Sequence, residues 1–130
     1  MKRDMELIRN ILLAIEAHPK ANAKRDEIYN SLNPELQGFE FQNDTIYEHI
    51  KLLKEANIID YDLVEYLGGK YDMPNGIRIT WDGHEYLASI KNDAVWSNIK
   101  ARLGKESINA PVEIIKQLGI SLLQNAFGLS

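Results

Sequence analysis

Between Glu55 and Ile59 the spacing of apolar residues changes from that of a helix to that of a strand. Nothing else in the chain limits the possible folds as much. Upstream, Ile46, Ile50 and Leu53 recur at three- and four-residue steps, with Leu52 and Ala56 beside them. Downstream, Ile59, Tyr61 and Leu63 alternate with Asp60 and Asp62, and later Ile77, Ile79 and Trp81 alternate with Arg78 and Thr80. Gly68-Gly69 and Pro74-Asn75-Gly76 lie between the two alternating runs and signal turns. The pattern predicts a helix over 43–57 that runs straight into a β-hairpin, with a tip loop of about eight to ten residues. Thr45 with Glu48 fits a capping box for that helix, Asn43 is a competing cap, and Asn57 suits its left-handed C-terminal position.

The flanking segments read as helices. Met5, Ile8, Leu12 and Ile15, with Leu7, Ile11 and Ala14, give a first helix that His18-Pro19 ends. A second is predicted from Lys24 to Leu32, with Asp26 and Glu27 in its first turn and Asn33-Pro34 as its stop. Its inward pair is Ile28 and Leu32, and Phe39 and Phe41 suggest a short extended piece after it. Beyond the hairpin, Thr80 caps a helix over 81–90 whose inward residues are Tyr86, Leu87 and Ile90. Another covers 93–103, with Val95, Trp96, Ile99 and Leu103 at helical spacing and Gly104 as terminator. The last is predicted over 110–127, with Asn109 as cap and Pro111 in the first turn. Its stripe is Val112, Ile115, Leu118, Leu122 and Ala126, broadened by Ile114 and Leu123. Trp81 and Trp96 are expected in the core, holding these helices against the hairpin.

This order makes a mainly α protein with a small β-hairpin: a winged helix-turn-helix over residues 1–90. Residues 91–130 form a C-terminal helical extension, packed on that unit or dimerising. At 130 residues and 45% apolar composition the chain can bury one core without staples. It has no cysteine, which excludes disulfides and thiolate metal sites. Asp4, Glu6, Arg9 and Glu16 interrupt the N-terminal apolar run, so neither a signal peptide nor a membrane span is expected there. A cytoplasmic protein with no membrane partner is the expectation.

Two blocks resemble known proteins. Ile79-Thr80-Trp81-Asp82-Gly83 resembles the strand-to-helix junction of winged-helix regulators, in which a threonine closes the wing strand and a glycine follows three residues later. Gly83 is expected to let the first helical turn pack closely against the hairpin. MKRDMELIRNILLAIE at the start, ITWDGHEYLASIKNDAVWSNIKARLG in the middle and the helical tail are similar to a family of small bacterial and prophage proteins containing a domain of unknown function. The resemblance covers nearly the whole chain and implies a winged-helix fold and a mobile-element origin. It implies no activity and no functional residues.

The fold makes double-stranded DNA the first candidate partner, and the charge distribution tests it. The net charge is −4, whereas duplex binders usually present a basic face. Opposite Ile46, Ile50 and Leu53 the central helix carries Asp44, Glu48, Lys51 and Glu55, flanked by Tyr47 and Lys54. From Asp60 to Thr80 four acids (Asp60, Asp62, Glu65, Asp72) face two bases (Lys70, Arg78), a net of −2. The candidate DNA contacts are therefore Thr45, Tyr47, Glu48, Lys51 and Lys54 on the helix, Lys70 at the wing tip, and Lys24 and Arg25 at the start of the second helix. For the helix face the alternative is a solvated surface laced with Glu/Lys pairs such as Lys51 with Glu55.

A further basic set, Lys91, Lys100, Arg102 and Lys105, has no assigned place relative to the motif. A homodimer through Val112, Ile115, Leu118 and Leu122 would suit two-fold DNA sites, with packing inside the chain as the alternative. His49 falls near the buried side of its helix and reads as a core or rim histidine with a satisfied hydrogen bond rather than a ligand. His84 beside Asp82 and Glu85 matches no metal spacing, and no nucleophile–base pair or phosphate loop is present. The expectation is a non-enzymatic DNA-binding regulator without metal or cofactor; the alternative is a winged-helix protein-interaction module.

Overall fold

A computed structural model of the chain describes residues 3–18, 44–64, 73–104, 111–126 and 128. Among these, five helices and one hairpin follow in the order α1 (Met5–Ala17), α2 (Asp44–Glu55), β1 (Ile59–Val64), β2 (Met73–Ile79), α3 (Trp81–Ile90), α4 (Asp93–Leu103) and α5 (Val112–Ala126). The fold is mainly helical with a small two-stranded antiparallel sheet, a winged helix-turn-helix carrying C-terminal helices. The predicted helix at 24–32, with Lys24 and Arg25, and the wing tip with Lys70 lie outside the described residues.

Local chemistry sets the ends of these elements. Asp4 caps α1 by accepting from the N–H groups of Glu6 and Leu7 at 3.0 and 3.2 Å. Helix α2 ends in a Schellman motif: Ile58 N–H donates to Leu53 O at 2.9 Å, and Asn57 N–H to Lys54 O at 3.0 Å. Asn57 takes the left-handed conformation this requires, with φ of 60°. The motif turns the chain directly into β1, while Leu53 and Ile58 both stay buried. Asn92 caps α4 through Ala94 N–H and Val95 N–H.

The hairpin differs from the sequence expectation in one respect. Pro74-Asn75-Gly76 does not form the turn; it lies within β2, opposite Leu63 and Asp62. The register runs Ile59↔Ile79 and Asp60↔Arg78, then slips by one residue before Asp62↔Asn75. The slip is a bulge. Gly76 sits there with φ of 65°, a conformation costly for other residues, which is why a turn-like tripeptide is accommodated inside a strand.

The core is contributed by every described element. Ile8, Ile11 and Leu12 of α1, Ile46 and Ile50 of α2, Ile59 and Ile77 of the hairpin, Leu87 and Ile90 of α3, and Ile99 and Ile115 beyond them are nearly or fully inaccessible. Each contributes about 1.5–3 kcal/mol relative to an exposed position. Helix α1 packs on α2, β2 and α3, and α5 packs on α3 and α4. A Cβ on Gly119 would lie 2.1 Å from Ser89 O, so these two small residues let α5 cross close over α3.

Three long-range contacts tie α1 to the rest. His49 is fully buried. Its Nε2 accepts from Asp4 N–H at 2.8 Å, and its Nδ1 lies 2.6 Å from Thr45 O. A carbonyl can only accept, so these partners assign the proton to Nδ1. Arg9 Nε donates to Ile90 O at 3.0 Å, and its Nη2 donates to Lys91 O at 2.8 Å and Asp93 Oδ1 at 2.7 Å. Its guanidinium also lies 5.6 Å from the centroid of the Trp96 ring, and Trp96 Nε1–H donates to Glu6 Oε2 at 2.7 Å. Arg9 thus closes the C-terminal end of α3, where a cation suits the exposed carbonyls.

Four apolar assignments fail: Ala56 and Ala126, expected in the inward rows of α2 and α5, are exposed, and so are Trp81 and Ile114. Trp96 is core, but Trp81 is 78% exposed. The strand alternation that placed Trp81 inward stops at Thr80, and Trp81 follows helical geometry instead. It is two residues before buried Gly83, about 200° around α3. Ile114 is likewise 47% exposed, because the close crossing at Gly119 narrows the buried line of α5 to its Ile115 side.

Candidate functional site: the outer face of α2 and the hairpin

Two carbonyls seat the hairpin on the end of α2, the first of them Ile58 O. It accepts from Thr80 N–H at 3.0 Å and lies within hydrogen-bond distance of the Thr80 hydroxyl, also at 3.0 Å. That hydroxyl is 2.6 Å from Asn57 O, and it accepts from Gly83 N–H at 3.0 Å. Thr80 therefore closes β2, caps α3 and fastens both to the end of α2. A Cβ on Gly83 would fall 1.9 Å from Ile58 O and 2.7 Å from Ile79 Cγ2. No side chain fits there, in accord with the close packing expected of this glycine.

On this seat α2 presents its outer face. Thr45 and Glu55 are exposed, and Tyr47, Glu48, Lys51 and Lys54 are half-buried. Lys51 Nζ meets Glu48 Oε1 at 3.0 Å, one turn back, not Glu55 as the spacing also allowed. The Glu48 carboxylate bonded to it holds the Lys51 ammonium above the usual lysine range. Lys51 also lies 5.1 Å from the centroid of the Tyr47 ring.

Lys54 reaches across to the hairpin. Its Nζ donates to Tyr61 O at 2.8 Å, stands 4.3 Å from the centroid of the Tyr61 ring and lies 3.7 Å from Asp60 Oδ1. Asp60 is shared with Arg78, whose Nη2 is 3.0 Å from Asp60 Oδ2. Arg78 also donates to Gly76 O at 2.9 Å and lies 3.8 Å from Asp62 Oδ2. One charge network, Lys54–Asp60–Arg78–Asp62, thus runs along the junction of α2 and the hairpin. The structure brings Thr45, Tyr47, Glu48, Lys51 and Lys54 together and adds Arg78, Asp60 and Asp62 to them. The signal for the added residues was the alternation of charged with apolar residues at Asp60, Asp62 and Arg78, which becomes informative only once the strand register sets the acids opposite the base.

The other candidates fall elsewhere. Ile115 is fully buried, and Val112, Leu118 and Leu122 pack against the same core, so the expected dimer stripe faces its own chain. Lys91 pairs with Glu16 and Lys100 with Glu6, while Arg102 is exposed and Lys105 lies outside the described residues. His84, Asp82 and Glu85 are exposed. Among the described residues, no cluster of three or more His, Cys, Asp or Glu could hold a metal ion, and no helix is long and apolar enough to cross a membrane.

Residues 2–109 match the model of a hypothetical protein family, DUF2513. The chain belongs to this family. The match includes α1 to α4, with the hairpin seat and the network above, and ends before α5. An uncharacterized protein of Haemophilus influenzae is 33% identical over 124 residues, covering 95% of this chain and 96% of that protein. That alignment is too long to leave out α5 altogether. No solved structure matches the chain.

Proposed function

We propose that this DUF2513 member is a winged-helix DNA-binding protein. Its role would be that of a cytoplasmic transcriptional regulator of a bacterium or prophage, acting by binding rather than by catalysis. The observation that carries the reading is the placement of α2: its outer face, from Thr45 to Glu55, is accessible and is fixed to the hairpin through Thr80 and Gly83. In winged-helix proteins the corresponding helix enters the major groove, and extending this to the present chain is an analogy of fold. Lys51 and Lys54 would meet phosphate or guanine and Glu48 cytosine, with Lys24 and Arg25 on the backbone and Lys70 at the wing tip. The pairing of Lys51 with Glu48 does not bar this, because exposed pairs contribute about 0–1 kcal/mol and exchange readily for phosphate. A homodimer would suit two-fold sites; on α5 it would have to use Ile114 and Ile120, which are exposed, rather than the stripe turned to the core.

One observation favours a second reading, a protein-interaction module. All three described cations on this face, Lys51, Lys54 and Arg78, already have acidic partners within the chain. A gel shift on mixed genomic fragments at low salt separates the two. Retardation that fades steeply with added salt is the outcome expected for DNA binding. Absence of retardation at the lowest salt would overturn it and leave the interaction module.

A further inference from the structure

Trp81 marks a surface that the DNA reading does not use. At 78% it is the most exposed large apolar side chain among the described residues. It opens α3, whose first turn is pressed against the end of α2: the Thr80 hydroxyl lies 2.6 Å from Asn57 O, and Gly83 abuts Ile58 O. The next residue, Asp82, lines a cleft of about 330 Å³ between the ends of α2 and α3 and the start of α5. Ala56, Ile58 and Val112 give this cleft an apolar side, and Asp82, Glu113 and Lys116 line it with charge. Inward past Ala56 it continues to Glu55 and Arg3. Glu85 lies one turn along α3 from Trp81, on the same side of that helix.

A single exposed tryptophan is ordinary on a protein surface. The charge around this one is not. Among the described residues, the carboxylates of Glu55, Asp82, Glu85 and Glu113 are exposed and hold no base. The acids elsewhere whose side chains are described cap a helix or hold a base. The uncommitted acids of three helices thus converge on one cleft and the indole beside it. Against them stand Lys116 and Arg3, which leaves a net of −2.

This chemistry selects the occupant. Lysine and arginine join an apolar stem to a cationic head, as the cleft joins an apolar side to carboxylates. A guanidinium also stacks on indole, and tryptophan and arginine dominate the energetics of protein interfaces. The same carboxylates repel a phosphate backbone. A second copy of the chain is poorly supplied to fill the surface, since Arg9, Lys51, Lys54, Arg78, Lys91 and Lys100 already hold acids of their own chain. We propose that Trp81 and the adjoining cleft dock a segment of another protein that carries arginine or lysine. One cationic side chain enters between Asp82 and Glu113, and another lies on the Trp81 ring beside Glu85. The docking is independent of whether α2 reads DNA.

The test is fluorescence anisotropy of a labelled peptide of arginine–leucine repeats with the full chain, beside the same peptide with citrulline for arginine. No DNA is present, so the outcome is separate from that of the gel shift. Saturable binding of the arginine peptide is expected, at least about tenfold tighter than that of the neutral one, as for contacts between charged groups. Trp81→Ala and Asp82→Asn/Glu113→Gln should each weaken it at least about fivefold while melting close to the parent, because all three side chains are exposed. Glu48→Gln, at a paired acid on the outer face of α2, should bind as the parent does. Tryptophan emission should shift to the blue on binding and do so no longer in Trp81→Phe, since Trp96 is already buried. No saturable binding, equal binding of the citrulline peptide, undiminished binding by either surface variant, or an equal loss in Glu48→Gln would each overturn the proposal. So would a dimer seen by light scattering that Trp81→Ala abolishes, which would give the surface to a second copy.

Discussion

Two regions of the molecule hold cations against acids and carbonyls, and they do so under opposite conditions. At the junction of α1, α3 and α4, the Arg9 side chain is 8% exposed and donates to two backbone carbonyls as well as to Asp93. At the junction of α2 and the hairpin, Lys51, Lys54 and Arg78 are each about two-fifths exposed, as are Glu48 and Asp60. In the first cluster the guanidinium is nearly buried, and removing it leaves the carbonyls of Ile90 and Lys91 without their donor. The second is in contact with water, where each pair contributes little and salt weakens it further. Arg9 is therefore architecture. The cations of α2 and the hairpin have partners they can exchange, as a face that meets a charged ligand needs.

The sharpest way to break this contrast is at the seat between the regions. Gly83→Ala places a methyl group 1.9 Å from Ile58 O, a backbone atom that cannot swing aside. The expected loss is about 3 kcal/mol or more, at the upper end for overpacking, read from urea unfolding. Arg9→Met keeps the packing volume but leaves the carbonyls of Ile90 and Lys91 without their donor. It should cost about 2–3 kcal/mol, since Asp93, 97% exposed, is left in water and not as a buried charge. Arg78→Gln should cost less than about 1 kcal/mol, with 0.5 M salt removing most of the difference. If Arg78→Gln proved as costly as Arg9→Met, the hairpin network would be structural and the contrast would fail.

What could be read from the sequence follows the range of the interaction. The start of α3 at Trp81 and the ends of α4 at Gly104 and α2 at Asn57 were legible because caps and terminators act within a few residues. The inward rows of α1, α2, α3 and α4 were legible from periodicity. Contacts that span the chain were not. His49 with Asp4, Arg9 with Asp93 and Trp96 with Glu6 join residues 45, 84 and 90 positions apart. Trp81 was misplaced because a strand period was carried one residue past Thr80. The outward face of α2 was legible as a set of residues, but its electrostatic state was not. Lys54 finds Tyr61 O and Asp60 only because the Schellman turn at Asn57 brings β1 back beside the helix.

The most direct test of an exchangeable cationic face is the salt dependence of duplex DNA binding by the parent and by Lys51→Gln/Lys54→Gln, measured by fluorescence anisotropy. The double variant should unfold within about 1 kcal/mol of the parent, because both side chains are half-buried and their ion pairs are in contact with water. It should bind more weakly at low salt, with a log–log salt slope shallower by about two, one for each phosphate that a lysine no longer neutralises. Equal affinity and equal slope in the two proteins, or no binding by either, would contradict a DNA-binding role for this face.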